Sequence, residues 1–356
     1  MAGGATLQTI ADALGVSRAT VSNAYNHPER MGAELRERIL ATARELGYPG
    51  PDPAARRLRH GRAGAVGLLF TEALSYAFSD AAAVAFLEGL ARRCEERQAP
   101  LLLLPVSAAA EDAGAAVREA VVDALCVYSI PDGHPVVAAA LERHLPLVVV
   151  DEPRIESATY VGIDDRSGTR RLGERLAALG HRRPAVVVPT LIPDGREGMA
   201  SDERLRAAAY HVDRERIAGF REAFEGAGVD FDEVPVYECP NQREAGARAL
   251  SVLLEREPGP SVLLCTTDEL ALGALEGARQ LGLTVPDDVS VTGFDDIPEA
   301  AGANPPLTTV HQPLTEKGAV AGDLLLELLD DGDGREVILP AEPVLRGSTF
   351  RPAAPR

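Results

Sequence analysis

The sequence predicts two fold classes in one chain: an all-α head of helix-turn-helix type, then an α/β body of two doubly wound parallel-sheet lobes. Three observations predict it. The stretch Thr6 to Asn26, TLQTIADALGVSRATVSNAYN, places apolar residues at helical spacing on both sides of a single glycine. From Ala65 onward, short near-continuous apolar runs alternate with helical stretches, as strands buried on both faces and joined by crossover helices would. The charge also changes: residues 1–62 carry nine arginines against six acids, a net +3, whereas the rest holds 27 basic and 48 acidic residues, a net −21.

In the head, Leu7, Ile10, Ala11 and Leu14 share one helical face, Gly15 supplies a turn, Ser17 is a good N-cap, and Val21 faces back toward Ile10 and Leu14. The second helix, Ser17 to Asn26, turns Arg18, Ala19, Ser22, Asn23 and Asn26 outward. Such side chains can hydrogen-bond base edges and phosphates in a major groove. A third helix is expected from about Ala33 to Leu46, with Leu35, Ile39, Leu40, Ala43 and Leu46 on its apolar side and Gly47 as its stop. PGPDP at 49–53 cannot continue that helix, but Pro53 can open a short one over AARRLRHGR, which is stable only when docked. A weakly basic head on an acidic body still binds nucleic acid if the body is held away from the phosphates.

In the body, VGLLF, PLLLLPV, ALCVYSI, PLVVVD, PAVVVPT, VPVYEC, SVLLCTT and DVSVTGFD read as strands. The helical stretches between them are Asp80 to Arg97, Ala110 to Glu119, Pro135 to Arg143, Thr169 to Leu179, Arg214 to Glu225, Gln242 to Glu255 and Glu269 to Leu281. So many strands suggest two sheets, with a ligand site between them at the strands' carboxyl ends. The stretch from Pro193 to Asp213 is expected to be a long loop, a flap over that site. No run of about 18 apolar residues and no signal peptide are visible, so a cytoplasmic protein with no membrane segment is expected. Cys94, Cys126, Cys239 and Cys265 lie far apart in apolar segments and read as buried thiols; no metal or cofactor is expected. Basic residues are almost all arginine, Lys317 being the only lysine.

Residues 6–62 resemble the head of the lac and galactose repressor family, with a third helix ending in LGY and a hinge helix whose leucine wedges into the minor groove. Under that resemblance Arg18, Ala19 and Asn23 stand where the family reads bases. Ser17, Thr20, Ser22 and Asn26 stand where it touches backbone or base edges, Leu58 stands where it intercalates, and Thr6, Leu7 and Ala55 complete the DNA contacts. Asn23 replaces the family's usual arginine, Gly32 replaces a capping serine, and the 49–52 linker is one residue longer. The resemblance continues through VGIDDRSGTRRLGERLAALGHRRPAVV, RERIAGFREAF, TTDELALGALEGARQLGLTVPDDVSVTGFDDIP, PPLTTVHQP and VLRGST. It implies lobes of the periplasmic-binding-protein type, with crossings near Asp164, His311 and Arg335. The expected organisation is a head over 1–49, a linker and hinge helix over 50–62, a first lobe from 63–164 with 312–334, a second from 165–311 with 335–351, and a tail over 352–356.

Strand ends present Asp151, Asp268 and Asp295, and RERIAGF presents Arg216. Carboxylates and a guanidinium facing a cleft hold vicinal hydroxyls or a base by bidentate hydrogen bonds. The resemblance implies effector contacts at these positions, with Tyr76 and Asp80 as further candidates and Thr267 in place of a usual asparagine. It also implies a homodimer that binds a palindromic double-stranded operator, a repressor released by a sugar or nucleoside-like effector. A corepressor-dependent regulator and a stand-alone solute-binding protein are the alternatives. HExxH, GxSxG, a phosphate loop and a GxGxxG after a strand are all missing, so an enzyme is not expected.

Overall fold

In the computed structural model, which describes residues 5–50, 63–70, 76–106, 112–156 and 158–352, the chain divides into two compact units, Met1–Gly64 and Ala65–Arg356. The first unit holds three helices, α1 (Leu7–Leu14), α2 (Arg18–Asn26) and α3 (Ala33–Glu45). Thr6 and Thr9 close α1 with a reciprocal capping box, and Gly15 at φ 66° ends it in the left-handed conformation that glycine adopts without cost. Ile10, Ala11, Val21, Ala24, Ile39 and Ala43 form the buried centre, and Tyr48 folds back edge-on to Tyr25 at 6.0 Å. Leu46 departs from expectation: it caps α3 and is exposed, because the helix ends one residue before it.

The second unit is built on two sheets. The first has the order β12-β5-β4-β3-β1-β2 and is parallel throughout, comprising β1 (Val66–Phe70), β2 (Leu101–Pro105), β3 (Ala124–Tyr128), β4 (Leu147–Val150), β5 (Thr159–Ile163) and β12 (Glu336–Leu339). The second has the order β10-β9-β6-β8-β7, comprising β6 (Pro184–Val188), β7 (Gly198–Met199), β8 (Val236–Glu238), β9 (Val262–Cys265) and β10 (Ser290–Thr292). Its β7 alone runs antiparallel. A two-stranded ribbon pairs β11 (Thr309–His311) with β13 (Glu342–Val344).

Strand residues alternate between the two faces of each sheet, which decides what covers them. Val66 and Leu68 pack with α4 (Ala81–Glu96) and α13 (Leu314–Leu329), whereas Leu69, Leu125 and Val127 pack with α5 (Ala115–Glu119) and α6 (Pro135–Glu142). In the second sheet, Val186 and Leu264 meet α7 (Asp165–Leu179) and α9 (His211–Glu225). Val187 and Leu263 meet α10 (Arg243–Leu254) and α11 (Asp268–Gln280). Each fully buried aliphatic side chain in these layers contributes about 1.5–3 kcal/mol relative to exposure. Ala82 of α4 and Leu314 of α13 pack into the second lobe's core, so the lobes also share apolar contact.

Three expectations need correction. The third crossing does not fall near Arg335, since β12 joins the first sheet with Glu336 opposite Tyr160, and the chain leaves that sheet only after Leu339. The stretch from Pro193 to Asp213 is not an open flap: it carries β7, the short helix α8 (Asp202–Arg206) and the first turn of α9. Arg204 pins this stretch by pairing with Asp194 at 2.7 Å and with buried Glu238. The long helix α13 follows a turn after β11, where sequence reading had marked no helix. All four cysteines are buried and free. Among the described residues, no helix is long and apolar enough to cross a membrane, and no group of side chains is arranged to hold a metal ion.

Candidate functional site

The head presents one polar surface and the body one polar cleft. On α2, Arg18 and Ala19 are exposed and Ser22, Asn23 and Asn26 half-exposed, at offsets that place them on one side of the helix. Val21 and Ala24 face the opposite way, into the core, which fixes this rotation. The side chains of Arg18 and Asn23 make no hydrogen bond among the described residues, so both keep their full bonding capacity. Others are partly committed: Ser17 accepts the Thr20 amide at 3.0 Å, the Ser17 and Thr20 hydroxyls meet at 2.8 Å, and Asn26 donates to the Ser22 hydroxyl at 3.1 Å. Thr6 is exposed but serves as the α1 cap, and Leu7 is half-buried against the head's core rather than displayed. Ala55 and Leu58 lie outside the described residues.

The cleft opens between the lobes, at the carboxyl ends of both sheets, with about 1070 Å³ of empty space counted out to its mouth. The first lobe contributes Asp80, which caps α4 by accepting the Ala82 amide at 3.2 Å, then Tyr128 at the end of β3 and Ser129 after it, and Asp151 and Glu152 after β4. The second lobe contributes Asp213 and Arg216 from the first turns of α9, Thr267 from the start of α11, and Asp295 from the loop after β10. Three of these residues sit at positive φ where the chain leaves a strand: Ser129 at 51°, Asp151 at 63° and Asp295 at 120°. Strain of this kind gathers at functional sites, because only surrounding structure can hold it.

Arg216 is buried. Its Nε donates to Asp165 at 2.7 Å, its Nη1 donates to the Thr266 carbonyl at 2.7 Å, and its guanidinium lies 3.7 Å over the Phe294 ring. Burial opposes its charge, but Asp165, Asp295 and Asp213 outweigh that cost and hold its pKa above the ordinary value. Its Nη2 makes no hydrogen bond among the described residues, leaving one guanidinium edge for a ligand. Asp295 accepts from the Gln312 amide, and burial raises its pKa to about 7 against the opposing pull of Arg216. Burial likewise brings Asp213 to about 6, and it brings Glu152, with Asp213 and Asp151 nearby, to about 8. Asp80 is pushed up in the same direction by burial.

Two groups also tie the lobes across one side of the cleft. Asp132 donates its backbone N–H to the Ala209 carbonyl at 2.9 Å, and its carboxylate pairs with Arg214 at 2.7 Å. Glu152 receives the Ser129 hydroxyl at 3.2 Å and, more weakly, the Val212 amide at 3.4 Å.

Of the effector positions expected from sequence, Asp80, Asp151, Arg216, Thr267 and Asp295 line this cavity. Asp268 does not: it is fully buried and accepts the Ile297 amide at 2.9 Å and the Thr309 hydroxyl at 2.6 Å, binding the start of α11 to neighbouring segments. Tyr76 opens a short 3₁₀ turn, Tyr76–Phe78, ahead of Asp80, and its side chain lies outside the described residues. Thr267 donates its hydroxyl to Asn241 at 2.7 Å, so Asn241 brings an amide to the place where Thr267 lacks one. Sequence reading missed Glu152, Asp213, Gln312, Lys317 and Asn241. For Glu152 a signal existed, because it follows Asp151 at the end of an apolar run; the others come from helix starts and crossings that only packing brings together.

Comparisons with known proteins agree with this architecture. The profile described as bacterial regulatory proteins, lacI family, matches residues 6–50, and that described as periplasmic binding protein-like domain matches residues 174–349. An HTH-type transcriptional regulator of Mycobacterium tuberculosis is 45% identical over 354 residues, 98% of each chain. The crystal structure of a LacI-family transcriptional regulator from Corynebacterium glutamicum superposes with a TM-score of 0.74 at 38% identity, over 97% of this chain and 98% of that one. A structure of the transcriptional regulator CelR in complex with cellobiose gives 0.71 at 27% identity, over 97% and 99%.

Proposed function

The chain belongs to the lacI family of bacterial regulatory proteins and is a DNA-binding transcriptional regulator; from that premise we propose a dimeric repressor whose operator affinity is set by a neutral, polyhydroxylated effector between its lobes. The observation that carries the effector class is the convergence of Asp80, Asp151, Asp213 and Asp295 with the open edge of Arg216 on one cavity. Carboxylates accept pairs of hydroxyls and a guanidinium donates to them, which suits a sugar or nucleoside. The cellobiose bound by CelR supports a sugar.

In the head, Arg18, Ala19 and Asn23 read bases, while Ser17, Thr20, Ser22 and Asn26 hold the phosphate backbone and neighbouring edges. Two heads in a dimer read the halves of a palindrome, and the hinge at Ala55 and Leu58 enters the minor groove between them. Regulation is linkage. An effector that prefers one arrangement of the lobes shifts the population of DNA-competent dimers, and a coupling of about 1–3 kcal/mol changes affinity about 5- to 150-fold.

The test is selection of random duplex DNA by the purified full-length protein, followed by a ligand screen on the recovered sequence. A palindrome of two half-sites, released by a neutral sugar or nucleoside, is expected. A ligand that tightens binding instead makes this a corepressor-dependent regulator, and no enrichment from a folded dimer, with and without a metabolite pool, overturns the reading.

A further inference from the structure

Lys317 is the only lysine among 36 basic residues, and it is buried in the cleft wall. Wherever else the chain uses a basic residue it uses arginine, so a lysine at a buried position asks for a physical reason. Its ammonium has three donors and spends all three: Nζ meets the two carboxylate oxygens of Asp151 at 3.0 and 2.7 Å and the Gln312 Oε1 at 2.8 Å. A planar five-donor guanidinium does not fit three acceptors gathered around one point. Asp151 and Gln312 therefore form a complete subsite for a primary ammonium group, and the protein fills it with its own side chain.

The filling is rigid. Lys317 lies in the first turn of α13, and the next residue, Gly318, lets that helix approach α4 so closely that a Cβ there would stand 2.0 Å from the Phe86 carbonyl. The ammonium is thus carried on a helix packed closely against its neighbour. Among the described residues, the remaining cleft carboxylates, Asp80, Glu152, Asp213 and Asp295, face one other cation of the wall, Arg216. Without Lys317 the Asp151 carboxylate would lose the cation bound to both its oxygens, and that subsite would favour a positively charged ligand.

We propose that Lys317 determines the charge class of the effector: by occupying the ammonium subsite of Asp151 and Gln312, it admits neutral hydroxylated ligands and rejects their amino-substituted counterparts. The choice between a neutral and an amino ligand rests on the reading of the cleft as the effector site, but the subsite itself can be tested without any effector.

The experiment uses the full chain, the variants Lys317→Ala and Lys317→Met, and the double variant Lys317→Ala with Asp151→Asn. Each is titrated with n-propylammonium chloride and with n-propanol while Tm is followed. In Lys317→Ala, propylammonium should stabilise the protein with an apparent affinity at least about tenfold above that of propanol, about 1.4 kcal/mol. The wild type, Lys317→Met and the double variant should show no such preference. If Lys317→Ala folds only with the amine present, refolding yield in propylammonium against sodium chloride reads the same subsite. A folded Lys317→Ala that ignores the amine, or a wild type that responds equally, overturns the proposal. A second arm compares neutral sugars and cyclitols with their aminodeoxy counterparts: the wild type should prefer the neutral member and Lys317→Ala should lose or reverse that preference. Equal binding of both members by the wild type overturns the proposal. If no sugar binds but amine rescue persists, the effector reading fails and the subsite stands.

Discussion

The outward face of α2 in the head and the cleft of the body are both polar, yet they are prepared in opposite ways. On the head, Arg18 and Asn23 project from α2 with no side-chain hydrogen bond among the described residues, and the helix is oriented by the apolar residues behind it. In the cleft, nearly every polar group is already bonded to another: Asp151 to Lys317, Asp295 to Gln312, Arg216 to Asp165 and Thr266. The difference follows from solvent. An exposed donor loses little while it waits for DNA, because water serves it meanwhile, whereas a buried charge must be paired or shifted in pKa if the fold is to survive. Under the proposed function, a ligand entering the cleft exchanges bonds with an existing network rather than meeting idle groups.

The largest test of this contrast is Arg216→Leu. It leaves Asp165 and its neighbours without their cation, and loss of one partner from a buried pair costs about 3–5 kcal/mol. The body's thermal transition should fall accordingly in calorimetry, and any effector response should vanish. A body as stable as the wild type would mean that the cleft network is not under electrostatic load.

Asn23→Ala should do the reverse. It is expected to relax preference at one base position of each half-site by about 1–3 kcal/mol, with stability unchanged to within about 0.5 kcal/mol. Profiling of selected DNA decides the first part and thermal melts the second. An unaltered sequence profile would remove Asn23 from base reading.

The smallest effect is one of pH. Glu152, Asp295 and Asp213 hold protons up to about 8, 7 and 6, above their ordinary values of 4.5, 3.8 and 3.8. Across that window the native state keeps protons that the unfolded chain has released. The contribution of these groups is therefore fully present below the unfolded values and is lost as pH rises through the folded ones. Tm of the ligand-free protein should decline between the ordinary carboxylate range and slightly alkaline pH, and Glu152→Gln should flatten the upper part of that decline. A variant curve parallel to the wild type would show that Glu152 is ionised at neutral pH in the folded protein.

The head was legible in sequence because its information is local. The spacing of Leu7, Ile10, Ala11 and Leu14, the cap at Ser17 and the turn at Gly15 each act within a few residues, and α2 follows with its outward face already assigned. The strands were legible for a similar reason, since residues buried on both sides must be apolar throughout. Asp151 and Asp295 could be marked because they terminate such runs. Asp268 was marked on the same ground and proved to be internal, because the direction of a carboxylate at a helix start depends on which loops pack around it. Thr267, one residue earlier, faces the cavity.

What the sequence by itself determined was the division between head and body, the order of those helices and strands that show a clear apolar period, and the residue types available at strand ends. Local sterics and hydrophobic periodicity decide those within a single element. Only the tertiary structure decided that β12 completes the first sheet, that α13 lies against α4, and that Lys317 meets Asp151 across 166 residues of chain. Pairing of buried charges depends on which elements are brought together and on how much water remains between them, and neither is encoded at the spacing of one helix or strand.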